Sequence, residues 1–121
     1  MFNADETGLY WRTAIPDGTL SFKSLEALGS KVAKDRMTLL LAYNIDGSEK
    51  LSPPVIGKSK NPRCFKNVKT LPVEYNANRN AWMTGDIWKD WLKHLDNTMR
   101  AKKRNFAMSC DNCAAHARPH W

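Results

Sequence analysis

The apolar stripe between Ile87 and Met99 constrains the fold more than any other feature of this sequence. Its apolar side chains recur at intervals of three and four residues, and charged or polar residues occupy the positions between them. This period predicts one amphipathic α-helix that packs a single face against a core. Thr84 precedes the stripe and Asp86 follows it closely, so we predict Thr84 as the N-cap and Asp86 as a favourable charge in the first turn.

Segments before the helix have the composition of β-strands. Met37–Asn44 is nearly continuous in apolar residues, which predicts a strand buried on both faces. Asp46-Gly47 predicts the turn of a hairpin, and Lys50–Ile56 the returning strand. Pro53-Pro54 lies within that strand and restricts it to an edge or a bulge, because proline cannot donate a ladder hydrogen bond.

Two acidic motifs lie at opposite ends of the sequence. Asn3-Ala-Asp5 has the pattern of a strand end followed by a turn, and Asn105–Cys110 predicts a short buried strand that presents Asp111. Carboxylates at strand ends are held rigidly, as a divalent-metal phosphoryl-transfer site requires. Asp5 and Asp111 are therefore candidate catalytic residues and metal ligands. Ordinary turn or cap aspartates are the alternative.

The order of these elements predicts a fold class. An initial strand is followed by a long connection, a hairpin, a basic loop, a helix and a further strand, and no element is predicted from residue 15 to 35. The order is that of an α/β domain with a mixed sheet, and the ribonuclease-H-like fold has it. A length of 121 residues suits a single domain over residues 1–121.

The charge distribution favours a polyanionic partner. Residues 1–57 hold six basic and seven acidic side chains, a net charge of −1, whereas residues 58–121 hold thirteen and five, a net charge of +8. Such asymmetry points to nucleic acid first and to an anionic membrane second.

The loop from Gly57 to Lys69 contains Phe65, which is available to pack or stack, and no acid. Its candidate nucleic-acid contacts are Lys58, Lys60, Arg63 and Lys66. A merely solvated basic loop is the alternative.

The first residues, the apolar runs and the cysteines indicate the cellular compartment. The first residues lack the basic start and apolar run of a signal peptide, and the longest apolar run, Leu39–Tyr43, is too short to cross a bilayer. Three cysteines without a regular framework fit a reducing compartment. We therefore expect no membrane partner.

A zinc site is a rival hypothesis for the end of the sequence. Two thiols and two imidazoles occur there at ligand-like spacings, and zinc prefers such nitrogen and sulfur donors. The set spans only eleven residues, whereas a zinc finger separates its ligand pairs by a dozen or so. The four residues are Cys110, Cys113, His116 and His120.

Several ordered blocks resemble a known family. They are Asn3-Ala-Asp-Glu-Thr-Gly8, Thr38–Ala42, Pro54–Phe65, Ala81-Trp-Met-Thr84 and Asp111-Asn-Cys-Ala-Ala-His116. Together they resemble the DDE transposase domain of the pogo/Tigger group, which includes jerky and the centromere protein B relatives. The resemblance implies a ribonuclease-H-like fold, DNA cleavage and transfer with Mg²⁺ or Mn²⁺, a DNA partner rather than a small-molecule substrate, and a nuclear location.

The same resemblance implies roles and an incompleteness. Asp5 matches the family's first catalytic acid and Asp111 its second, while the third is expected some tens of residues beyond Trp121. Ala114 stands where the family usually has proline, and Cys110 where it has an aliphatic residue. We therefore expect a truncated domain that is incomplete on its C-terminal side and inactive by itself. A domesticated DNA- or protein-binding module without catalysis is the alternative.

Overall fold

Two long antiparallel strands form the centre of the fold in the computed structural model, which describes residues 1–12 and 35–116. Strands β1 and β2 pair along almost their whole length, from Phe2 opposite Asn44 to Tyr10 opposite Arg36. Within the described residues the sheet has five strands and is accompanied by one α-helix. The elements are β1 (Phe2–Arg12), β2 (Asp35–Asn44), β3 (Val55–Gly57), β4 (Tyr75–Ala77), α1 (Gly85–Ala101) and β5 (Met108–Ser109).

The sheet is mixed, as predicted. Its strand order is β4-β3-β2-β1-β5, in which β3–β4 and β1–β5 are parallel and the two remaining pairs are antiparallel. This mixed α/β architecture confirms the predicted fold class and is consistent with part of a ribonuclease-H-like domain. Residues 15–35, for which the sequence predicts no element, lie outside the described residues, except that Asp35 begins β2.

The core lies between one face of the sheet and α1. Phe2 and Ala4 of β1 and Leu40 and Ala42 of β2 alternate with more exposed residues and point to the same side. Helix α1 covers that side with the buried side chains Trp88, Trp91, Leu95 and Met99. The predicted helix is thus confirmed, and Thr84 caps it by accepting a hydrogen bond from the Ile87 amide over 3.4 Å.

The prediction that β2 is buried on both faces is wrong. Leu41 and Tyr43 retain 42% and 46% of their exposure, whereas Leu40 and Ala42 are buried. The physical reason is that α1 packs on one face of the sheet, so the strand alternates instead of being covered twice. An apolar run in a half-covered strand therefore leaves large apolar side chains at the surface.

The hairpin turn is confirmed, but its returning strand is not continuous. Gly47 adopts a left-handed φ of 72°, and the Asp46 carboxylate accepts hydrogen bonds from the Ser48 amide and hydroxyl. After a single bridge at Lys50 the chain leaves the ladder, and β3 begins only at Val55, beyond the two prolines. Strand β3 is also internal rather than an edge, since β4 pairs with it. The sequence predicts no strand at β4.

Two expectations about the acidic motifs are corrected. Asp5 does not end a strand, because β1 continues through it to Arg12, supported throughout by pairing with β2. The strand before Asp111 is short and lies at an edge of the described sheet rather than buried in it. Residues Asn105 and Ala107 are exposed, since β5 pairs with β1 over only two residues.

Candidate active site

Asp5 lies in the middle of β1 with an exposed side chain. Successive residues of a strand point to opposite faces, so Asp5 points away from the α1 face that the buried Ala4 occupies. Its Oδ1 atom accepts a hydrogen bond of 2.9 Å from the amide of Glu6. The strand backbone therefore fixes its position, while the carboxylate faces solvent.

Asp111 lies just beyond the end of β5. Its side chain is 62% exposed, and its Oδ1 atom accepts a hydrogen bond of 3.1 Å from the Cys113 amide. The same oxygen lies 2.6 Å from Nδ1 of His116. The short 3₁₀ turn Ala114–His116 brings this imidazole back towards Asp111, so the acid is held by its own downstream segment.

His116 is the buried centre of this arrangement. Its side chain is 1% exposed and its ring lies 4.3 Å from the Trp88 ring, centroid to centroid. Its Nε2 atom is 2.6 Å from Oε1 of Glu6, so the imidazole joins β1 to the segment after β5. Burial alone lowers the pKa of His116, but hydrogen bonding to Glu6, its charge and the contacts with Asp111 outweigh burial, and the pKa of His116 is raised.

The structure thus brings together Glu6, His116 and Asp111. The sequence reasoning missed Glu6 and considered His116 only as a zinc ligand. A signal was present in both cases, because Glu6 directly follows Asp5 and His116 closes the motif that Asp111 opens. On β1, Glu6 belongs to the face that carries Ala4, which explains why it reaches the buried imidazole.

Asp5 and Asp111 have different hydrogen-bonding partners, and only Asp5 lies on a strand, because β5 ends two residues before Asp111. Strands β1 and β5 run parallel, with Phe2 opposite Met108 and Asn3 opposite Ser109. Each aspartate follows the second member of this ladder by two residues.

The zinc hypothesis finds no support in the described part of the chain. Both ring nitrogens of His116 already contact carboxylates, so zinc binding would have to break one of these bonds. Within residues 1–12 and 35–116, no group of three or more histidine, cysteine, aspartate or glutamate side chains is placed to hold a metal. His120, the fourth proposed ligand, lies outside the described residues.

The candidate nucleic-acid surface is an ordered loop. Its four candidate contact residues are exposed, and one of them, Lys58, lies 3.8 Å from Asp35. Phe65 packs edge-on against Tyr75 with 4.8 Å between ring centroids, so packing is the role that the structure gives it. The Tyr75 hydroxyl donates a hydrogen bond of 2.6 Å to the Ser59 carbonyl, which ties the loop to β4. The four candidate contact residues are Lys58, Lys60, Arg63 and Lys66.

A comparison with protein families matches residues 34–121 to the DDE superfamily endonuclease family. The chain belongs to this family. The DDE domain is 48% identical over 96% of its length to Tigger transposable element-derived protein 4 of Mus musculus, of which it covers 22%. It is 44% identical over 78% of its length to a Jerky protein homolog of Homo sapiens, of which it covers 16%. These matches confirm the pogo/Tigger resemblance.

The name of a third relative states what it binds. The DDE domain is 36% identical over 85% of its length to ARS-binding protein 1 of Schizosaccharomyces pombe, of which it covers 20%. The chain thus spans about a fifth of the length of these relatives. No solved structure matches it. Among the described residues, no helix is long and apolar enough to cross a membrane.

Proposed function

We propose that this chain is the metal- and DNA-binding part of a transposase-derived DDE endonuclease domain that works on nuclear DNA. In this proposal Asp5 and Asp111 hold Mg²⁺ or Mn²⁺, and the basic loop contacts the phosphate backbone. The name of the fission-yeast relative supports a DNA partner. The excess of positive charge after residue 57 supports it independently, because polyanions bind such surfaces.

The register of β1 against β5 is the observation that carries the proposal. Residues level with one another on adjacent strands lie about 4.7–4.9 Å apart and point to the same face. The pairing ends at Asn3–Ser109, and the same register continued by two residues would bring Asp5 level with Asp111. Asp111 is instead bound to His116, so a shared ion would require its side chain to leave His116 and turn to the face that carries Asp5.

The donor set suits the proposed metal. Magnesium prefers hard oxygen donors and is commonly held by one or two carboxylates together with water or substrate phosphate. A divalent cation there would neutralise phosphate charge and lower the pKa of a bound water. The protein's own contribution is to hold Asp111 in place through the Cys113 amide and the buried His116.

Cleavage by these 121 residues alone is not part of the proposal. The resemblance places a third carboxylate further along the family sequence, and two carboxylates position an ion less firmly than three. We expect DNA and cation binding from this chain, and strand cleavage only where a third acid is supplied.

A binding module without chemistry is the second candidate, and one contact favours it. Oδ1 of Asp111 is already engaged by His116 at 2.6 Å and by the Cys113 amide. A carboxylate that already binds two groups of the protein is less available to a cation. Under this candidate DNA binding would be independent of both aspartates.

DNA binding is tested by fluorescence anisotropy on a labelled duplex over a salt series. Changing the four basic loop residues to glutamine should weaken binding and lower the salt slope by up to about 3–4, since each lost phosphate contact removes about 0.9. The matched control changes Lys50, Lys89, Lys93 and Lys102, which are also exposed, and removes the same charge. Equal effects of the two sets would show that the loop is not a specific contact surface.

Metal binding separates the two candidates. Isothermal titration with Mn²⁺ should show a site that is lost in both Asp5→Asn and Asp111→Asn and kept in Asp90→Asn, an exposed acid on α1. If neither Asp5→Asn nor Asp111→Asn alters Mn²⁺ binding while DNA binding persists, the module without chemistry is correct.

A further inference from the structure

Trp82 is an exposed aromatic side chain that has no part in the proposed metal site or in the basic loop. It lies in the connection between β4 and α1 and keeps 58% of its exposure. A tryptophan at the surface leaves a large apolar area in water beside a polar N–H, a combination that is enriched at interfaces.

The backbone that carries Trp82 is held rigidly by Asn78. The Asn78 side chain donates a hydrogen bond of 2.6 Å to the Trp82 carbonyl and accepts one of 3.2 Å from the Trp82 amide. The preceding Ala81 is fully buried and has a left-handed φ of 52°. The buried Thr38 hydroxyl donates a hydrogen bond of 2.7 Å to the Ala81 carbonyl. Strained backbone held in this way is typical of functional positions.

A cation lies over one face of the ring. The guanidinium carbon of Arg36, on β2, is 4.7 Å from the centroid of Trp82. This positive charge repels cationic ligands and attracts anionic ones. It therefore argues against a lysine- or choline-like ligand and for a group attached to phosphate.

Trp82 and Arg36 line a cleft that reaches the segment following Asp111, although neither Asp5 nor Asp111 lines it. The cleft has a volume of about 240 Å³ and is also lined by Glu6, Cys113 and Ala115. The Cys113 amide binds the carboxylate of Asp111, so the cleft and the aspartate share a structural neighbour. Its volume is below the range of about 300–1,000 Å³ that drug-sized ligands occupy, which suits a small planar group.

We propose that Trp82 and Arg36 form a stacking site for one unpaired base of a bound DNA strand. An unpaired base offers a π-face to Trp82, and its phosphate offers an anion to Arg36. Within a paired duplex the base faces are stacked on their neighbours and cannot reach the ring. This inference rests on the proposed function, since it requires the chain to bind DNA.

The test compares two duplexes of one sequence, one fully paired and one with a single extrahelical 2-aminopurine. Binding is followed by anisotropy, and base stacking by quenching of the 2-aminopurine fluorescence. The wild-type chain should prefer the unpaired probe roughly tenfold and quench its fluorescence, because stacking on an aromatic ring is worth that much per base. Trp82→Ala should abolish both the preference and the quenching while binding to the paired probe is retained.

Two variants make the test specific. Trp82→Phe keeps an aromatic face and should retain most of the preference. Trp11→Ala removes a tryptophan of 59% exposure on β1 and should change neither readout. If Trp82→Ala weakens both probes equally, or if Trp11→Ala has the same effect, the stacking site is refuted.

The outcomes also separate this inference from the proposed function. Equal binding of the two probes by the wild-type chain, with paired binding still weakened by neutralising the basic loop, refutes the stacking site alone. Failure to bind either probe refutes both.

Discussion

Removing the His116 imidazole is the perturbation with the largest expected effect on folding. In His116→Ala, Glu6, whose side chain is 19% exposed in the wild type, would lose its partner at 2.6 Å, and Trp88 would lose the imidazole that packs against it at a tilt of 38°. Leaving one member of a buried ion pair uncompensated costs about 3–5 kcal/mol. Because Glu6 is not fully buried and can gain some hydration, we expect a loss of about 3 kcal/mol.

Substituting either carboxylate should destabilise the fold less than His116→Ala does. Of the two substitutions, Glu6→Gln should be more destabilising than Asp111→Asn. Glu6→Gln keeps the shape of a half-buried partner and weakens one charged hydrogen bond, which costs about 1–2 kcal/mol. Asp111 has a 62% exposed side chain, so Asp111→Asn should cost below about 1 kcal/mol. His94→Ala is the control, since His94 is exposed on α1.

Urea unfolding monitored by circular dichroism gives these values from the midpoint and the slope. A loss of about 3 kcal/mol lowers the midpoint by roughly 1–3 M for slopes typical of small domains. If His116→Ala does not fold, the order of Glu6→Gln and Asp111→Asn still tests the reasoning. A His116→Ala variant within about 0.5 kcal/mol of the wild type, or Asp111→Asn more harmful than Glu6→Gln, would refute the structural role of the imidazole.

Three further predictions concern stability. The folded-state pKa of His116 is raised, so the proton stabilises the folded state. Stability in EDTA should be greatest below about pH 6.5, the unfolded value, and fall as the pH rises through the folded value, and His116→Gln should remove this dependence. Thr84→Ala should cost about 0.5–1 kcal/mol by loss of the N-cap, measured against Thr70→Ala, an exposed loop threonine. Gly57→Ala should cost about 1–3 kcal/mol in thermal unfolding, because its Cβ would overlap the Tyr75 ring, and combining it with Tyr75→Ala should remove most of that penalty.

The sequence predicted the helix and the order of the elements well, and physical reasons explain why. The Ile87–Met99 stripe has a strong helical period, and a threonine cap marks its start. A turn containing Gly47 is equally local, since it depends on a few adjacent residues. These elements can be predicted from a single sequence because they depend on neighbouring residues and not on tertiary contacts.

The errors arose where distant pairing decides the structure. Nothing near Asp5 shows that β1 continues to Arg12, because that extension depends on pairing with β2 some thirty residues later. Strand β4 has only three residues and depends on β3 for its hydrogen bonds. Burial of β2 on one face likewise depends on where α1 packs.

In the candidate site, too, locally encoded features could be predicted and long-range contacts could not. Asp5 and Asp111 could be selected as acids near strand ends, and their roles remain proposals. The contact between Glu6 and His116 joins residues 110 positions apart, so no local pattern predicts it. The hydrogen bond from Asn78 to the Trp82 backbone and the 58% exposure of the Trp82 side chain could not be predicted from the sequence either.

A crystal structure of this chain grown with Mn²⁺ and measured at the manganese absorption edge tests the central claim most directly. We predict an anomalous peak within about 2.0–2.3 Å of carboxylate oxygens from both Asp5 and Asp111. A peak bound elsewhere, or Asp111 still engaged with His116 at saturating Mn²⁺ and no peak beside Asp5, would contradict a shared cation site.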